Sequence, residues 1–299
     1  MGSARARALP KAHPAPGGAV APRPRGSWLP LAGRGSWAAQ LQVGRTHGAS
    51  AARRIVRYLV TGGTPTGDLV DQVTEVGQDA LKRALKDPVF IEALWLLVRI
   101  PQGAGSADFL KELRELGISG AAPVSLTEML VAYDRALEKV QRRSHAGITD
   151  LGEIARRAGL SAFGEAIRDR LPSLWPPTAE DVRVSVAALK GTEQFASMAH
   201  RFYSGFVERV IHYYVDRNLH HMVGTDRVAK SVNDLRTFNE AIRRHCIESA
   251  LIMRAFAKDW LGKNHYKDGK QITRDDVRRF SAYTVEKIRL ELDQRKRAS

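Results

Sequence analysis

From about residue 50 onward the apolar positions recur every three to four residues, the period of a helix, and no stretch alternates convincingly with the two-residue period of a strand. Local signals divide this pattern into elements. Asp87 followed by Pro88 supplies an N-cap and first turn for PVFIEALWLLVRI, and Pro101 is expected to stop that helix. Ser125 with Glu128 reads as a capping box ahead of LTEMLVAYDRALEKVQRR. Thr178, after Pro176 and Pro177, opens EDVRVSVAALK, with Glu180 and Asp181 in the first turn, where the helix dipole favours acids. Thr273 with Asp276 caps a last helix running to about Lys296. Three long helices are expected at about 192–222, 232–262 and 273–296, joined by short loops, which implies an antiparallel bundle. With Glu208 at 0° and about 100° per residue, Phe195, Met198, Phe202, Tyr203, Phe206, Val210, Tyr213 and Tyr214 define one broad buried face.

The expected fold class is therefore all-α: an irregular short-helix N-terminal part followed by a long-helix antiparallel bundle, preceded by a disordered basic arm. Residues 1–48 are rich in Pro, Gly, Ala and Arg and lack apolar periodicity. A mitochondrial transit peptide shares that composition, but Pro10, Pro14, Pro16, Pro22, Pro24 and Pro30 interrupt the amphipathic helix it requires. A polybasic arm and upstream sequence translated from a misplaced start codon both remain open. The Pro-rich stretch LPSLWPPT, residues 171–178, marks the expected boundary between a short-helix domain, 49–175, and a long-helix bundle, 176–299.

Charge changes this picture more than composition does. The formal charge is +15, and residues 1–67 carry ten Lys and Arg with no acid, while residues 178–299 carry 23 cations against 16 acids. Cations gathered at the extremities point to a polyanionic partner, most often nucleic acid. The predominance of Arg over Lys can also reflect GC-rich codons. The single Cys246 excludes an internal disulfide and any zinc site built on several cysteines, so a reducing, cytoplasmic setting is expected. The longest apolar run falls short of the roughly 20 residues of a membrane-spanning helix, and no membrane partner is expected.

The most conspicuous chemical pattern is ERVIHYYVDRNLHH, which sets Glu208, His212, Asp216 and His220 four residues apart. Four residues overshoot a turn by about 40°, so these side chains drift from the solvent side toward the core margin and do not all face one ion. The bland reading is a flank of i,i+4 pairs. The candidate metal set is His212 and Asp216 with His245 and Glu248 of RRHCIES, although di-metal carboxylate bundles use the opposite order, Glu-x-x-His. No cofactor is expected. RNLHH is similar to the Arg-polar-His motif of the HEPN ribonucleases, all-α proteins that cleave RNA without metal; here Arg217 is separated from His220 and His221 by two and three residues rather than four to six. That resemblance implies an acid or base at His220 or His221 and phosphate stabilisation by Arg217; His245 and Glu248 complete the candidate set for an enzyme.

The segment ITDLGEIARRAGLSAFGEAIRDRL, residues 148–171, resembles the helix-turn-helix core of bacterial regulators, with Gly159 making the turn; a plain α-hairpin is the alternative. KNHYKDGKQITRDDVRRF concentrates Lys263, Lys267, Lys270, Arg274, Arg278 and Arg279 about a turn, with Tyr266 available to stack on a base and Asp268, Asp275 and Asp276 diluting the charge. P-loop, nucleophile-elbow, zincin and dinucleotide fingerprints are absent. The expected function is a non-enzymatic nucleic-acid-associated helical protein, a complex subunit or accessory factor that binds phosphate backbone, DNA or RNA. The alternatives are a HEPN-like or metal-bundle enzyme and a scaffold for an acidic protein; no small-molecule substrate is expected.

Overall fold

The computed structural model describes residues 77–118, 120, 123, 125–145, 147–216, 232–265 and 271–298. The chain divides into two units, Met1–Gln42 and Val43–Ser299, and all the described residues belong to the second. The expected arm, residues 1–48, lies outside the described residues.

Every regular element among the described residues is helical, as expected: α1 (Pro88–Ala104), α2 (Phe109–Glu115), α3 (Leu126–Arg143), α4 (Asp150–Arg168), α5 (Ala179–Ala187), α6 (Thr192–Asp216), α7 (Val232–Ser249), α8 (Ile252–His265) and α9 (Arg274–Ala298). Residues 77–84 are also helical, and a 3-10 turn, Ala188–Lys190, joins α5 to α6. The caps expected from sequence form. The Ser125 hydroxyl accepts from Glu128 N at 3.2 Å. Thr178 and Asp181 exchange hydrogen bonds of 3.2 and 2.8 Å, and Thr273 and Asp276 do the same at 3.2 and 3.0 Å. At α1 the Asp87 carboxylate accepts from Val89 N at 2.8 Å and from the Thr149 hydroxyl at 2.5 Å, whose oxygen in turn accepts from Gly152 N at 2.9 Å. One hydrogen-bonded chain thus caps α1 and α4 together, each cap contributing about 1 kcal/mol.

The fold is organised around α1, which is buried along almost its whole length from Val89 to Ala104. A helix apolar on all sides needs neighbours on all sides, and α2 to α6 and α9 all touch it. Phe90 packs against Phe202, Tyr203 and Phe206 of α6 at centroid distances of 5.2, 5.8 and 5.0 Å. Pro101 does not stop the helix: α1 continues through it to Ala104. Proline costs a helix one N–H bond and some steric strain, and here the residue is buried among the surrounding helices. The Ala104 carbonyl at the true end accepts from Arg183 Nη1 at 2.8 Å.

Residues 150–168 form one uninterrupted helix, so both the helix-turn-helix and the hairpin are overturned. Gly159 serves close approach rather than a turn: a Cβ there would lie 2.3 Å from the Tyr133 hydroxyl. That hydroxyl donates to the Ala93 carbonyl at 3.0 Å, and the Tyr133 ring meets Phe163 at 5.3 Å. α6 packs along this helix, while Glu165, Arg168, Asp169 and Arg170 beyond the supposed turn stay exposed. Arg201 reaches Asp169 at 2.7 Å, Arg209 reaches Ser161 at 2.7 Å, and the Tyr213 hydroxyl donates to Asp150. The pairs run in opposite chain directions, so α4 and α6 are antiparallel.

The long-helix part is antiparallel as well, with one correction. Glu193 pairs with Lys258 and His200 with residue 247, while Phe256 meets Tyr283 and Trp260 meets Phe280. The single helix expected over 232–262 is two, α7 and α8, broken at residues 250–251. Leu251 N turns to the Glu248 carbonyl at 3.2 Å, which leaves the Ile247 carbonyl to accept from His200 Nε2 at 2.9 Å. Helices on both sides of the Pro-rich stretch, Phe90 and Phe163 before it and Phe202 and Phe280 after it, belong to one hydrophobic core.

Gly159→Ala should destabilise the protein by about 2 kcal/mol through overpacking, despite the better helix propensity of alanine; urea unfolding measures this, and an unchanged midpoint would show that α3 and α4 relax freely. Burial raises the Tyr133 phenol well above its ordinary value, with Glu92 and Asp134 adding to it. Burial likewise raises Tyr203, only partly offset by the nearby Ser281 and Thr284 hydroxyls. Both rings hold their protons longer in the folded chain, so their stabilising contribution is whole below about pH 10 and is lost as pH rises further. Urea midpoints should therefore fall as pH rises above about 10, and Tyr133→Phe should flatten that fall.

Candidate nucleic-acid interface

The basic end identified in sequence is built on α9. Trp95 Nε1 donates to the Ile272 carbonyl at 2.8 Å, Thr273 and Asp276 then start the helix, and three arginines follow within its first turns. Arg274 is committed inward. Its Nε and Nη2 donate to the two oxygens of Glu92 at 2.5 and 2.8 Å, and its guanidinium lies 3.7 Å from the Trp95 ring centroid. The Glu92 side chain is 4% exposed, so this forked pair is a structural tie between α1 and α9.

Arg278 pairs with Asp275, and Arg279 with Asp276 at 2.6 Å, each three residues apart; their side chains stay 56% and 72% exposed. The Arg278–Asp275 pair is exposed on both sides and worth under about 1 kcal/mol, while Asp276, 11% exposed, keeps its Thr273 partners, so both guanidiniums can exchange an aspartate for a phosphate. Lys263 is exposed at the end of α8. Tyr266, Lys267 and Lys270 lie outside the described residues.

The histidine ladder is brought together only in part. Glu208 and His212 are half-buried on α6, whereas Arg217, His220 and His221 lie outside the described residues and the side chain of Asp216 is among those not described. His212, His245 and Glu248 each already engage another group. Among the described residues no set of three His, Cys, Asp or Glu side chains is arranged to hold a metal ion. His245 and Cys246 line, with Val207, Ile211, Ser249 and Ile288, a cavity of about 10 Å³, room for one water at most. Burial, with the Glu208 carboxylate adding to it, pushes the Cys246 thiol far above the range in which it acts as a nucleophile. No helix among the described residues is long and apolar enough to cross a membrane.

A second basic feature is not among the sequence-based expectations. Arg135, Lys139, Arg142 and Arg143 are exposed on α3 and form, with Glu138, an open basic surface along one face of the helix. Their i, i+4, i+7 and i+8 spacing on an amphipathic helix was the available signal. No family profile, curated protein or solved structure matches the chain.

Arg274→Ala should lower the unfolding free energy by about 2 kcal/mol, below the full cost of breaking a buried pair because the guanidinium is half exposed. Arg278→Ala and Arg279→Ala should cost under about 0.5 kcal/mol. Equal effects of the three in urea unfolding would deny Arg274 its structural role.

Proposed function

We propose that the protein is a non-enzymatic nucleic-acid-associated factor, acting in the cytoplasm, that binds phosphate backbone with the basic end of its long-helix bundle. The observation that carries this reading is the division of labour on α9. Arg274 and the Ile272 carbonyl lock the start of the helix to α1, while Arg278 and Arg279 stand exposed in weak, exchangeable pairs. Cations held on a fixed element lose little conformational freedom on meeting a phosphate, and Lys263 at the neighbouring helix end extends the same charge. Lys267, Lys270 and Tyr266, in the connection between α8 and α9, belong to this proposal by sequence position. Such contacts position a nucleic acid without specifying its bases.

The test is fluorescence anisotropy of the full chain with single- and double-stranded oligonucleotides across a salt series. Binding should weaken steeply with salt, and the Lys263→Glu, Arg278→Glu, Arg279→Glu triple variant should flatten the log–log slope by about 0.7–0.9 per lost phosphate contact. Absence of binding at low salt, or an unchanged slope in the triple variant, would overturn the proposal.

A further inference from the structure

The basic surface along α3 borders a deeper cleft. Arg135 and Lys139 line both, and the cleft, about 370 Å³, lies between α3 and the turn after α2. Its lining is mixed: Ile118, Val131, Ala132 and Ala136 are apolar, Arg135 and Lys139 are cationic, and Glu128 is the one acid. Val131 is 40% exposed, an unusual position for a branched apolar side chain beside two cations. The volume falls in the range of small-molecule sites.

The charges of the basic surface are only partly satisfied internally. Arg142 pairs with Glu138 at 2.6 Å, and Lys139 Nζ reaches the Gly117 carbonyl at 3.4 Å. Arg135 and Arg143 form no hydrogen bond or ion pair with any other described residue. From Arg135 to Arg142 is seven residues, about 10 Å of helix, so the cations form a row of the length of a short phosphate chain. The row starts at the mouth of the cleft, beside its apolar side chains.

We propose that this composite site binds a nucleoside polyphosphate, its base against Ile118, Val131 and Ala132 and its phosphates along Arg135, Lys139, Arg142 and Arg143. Arginine suits forked contacts to phosphate oxygens, and lysine adds a point charge. The site lies on a different helix from the cations of the proposed nucleic-acid interface and stands independently of that reading.

Isothermal titration calorimetry of the full chain with ATP, inorganic triphosphate and adenosine tests it. ATP should bind, triphosphate about tenfold more weakly, and adenosine more weakly still. Arg135→Glu with Lys139→Glu should reduce ATP affinity at least about tenfold, and Val131→Asp should reduce ATP binding while leaving triphosphate less affected. All three positions are exposed, and an unchanged thermal midpoint confirms that the variants fold. The Lys263→Glu, Arg278→Glu, Arg279→Glu variant should bind ATP as the parent does. No ATP binding at low salt, triphosphate equal to ATP, an unchanged Arg135/Lys139 variant, or an equal loss in the α9 variant would each overturn the proposal.

Discussion

Glu92 sits in the wall of a helix whose other residues are almost all buried, and an isolated carboxylate in such a place costs several kcal/mol. The chain meets that cost with Arg274, 182 residues away, whose guanidinium takes both oxygens of Glu92 and covers the Trp95 ring. Because Trp95 also donates to the Ile272 carbonyl, two polar groups on successive turns of α1 fix where α9 begins. Their joint requirement sets the register of the long-helix part against the central helix. Apolar contact alone, which is non-directional, would leave that register looser.

Once α9 is fixed, the aromatic side chains propagate the arrangement. Phe280 packs on Trp260 of α8 and on Phe195 of α6, at 4.6 and 6.0 Å, and Phe202 of the same α6 face returns to Phe90 on α1. The loop of contacts is closed. The polar groups enclosed by it are met from within: Tyr133 finds the Ala93 carbonyl, and the Tyr203 hydroxyl lies with the buried Ser281 and Thr284 hydroxyls, which partly offset its burial.

Much of the fold was legible because its signals are local. Asp87, Ser125, Thr178 and Thr273 start helices as expected, since a cap is a contact between residues two or three apart. The buried stripe of α6 from Phe195 to Val210 follows from periodicity alone. The errors share a cause in distant contacts. Gly159 resembles a turn glycine until Tyr133, 26 positions earlier in the chain, is seen to occupy the space of its Cβ. Pro101 resembles a stop until α1 is seen to be enclosed on every side. The break between α7 and α8 has neither Pro nor Gly to announce it, and its freed carbonyl is satisfied by His200 from another helix. Among candidate site residues, Arg274 has the sequence context of a ligand-facing cation because Glu92 is invisible to any local window.

The two basic regions differ for a reason that begins with the helix dipole. Acids are favoured in first turns and cations in last turns. In α9 the cationic cluster falls at the N-terminal end, so Asp275 and Asp276 are placed among the arginines and partly neutralise them. In α3 the order is reversed: Glu128 occupies the first turn, and Arg142 and Arg143 the last, where only Glu138 opposes them. The negative end of the α3 dipole amounts to about half a charge and cannot cancel four cations. A count of charges along the sequence treats both segments alike, yet one end is self-paired and the other presents an exposed row of cations. Net charge therefore points to the kind of partner, while the polarity of each helix determines where unsatisfied charge collects.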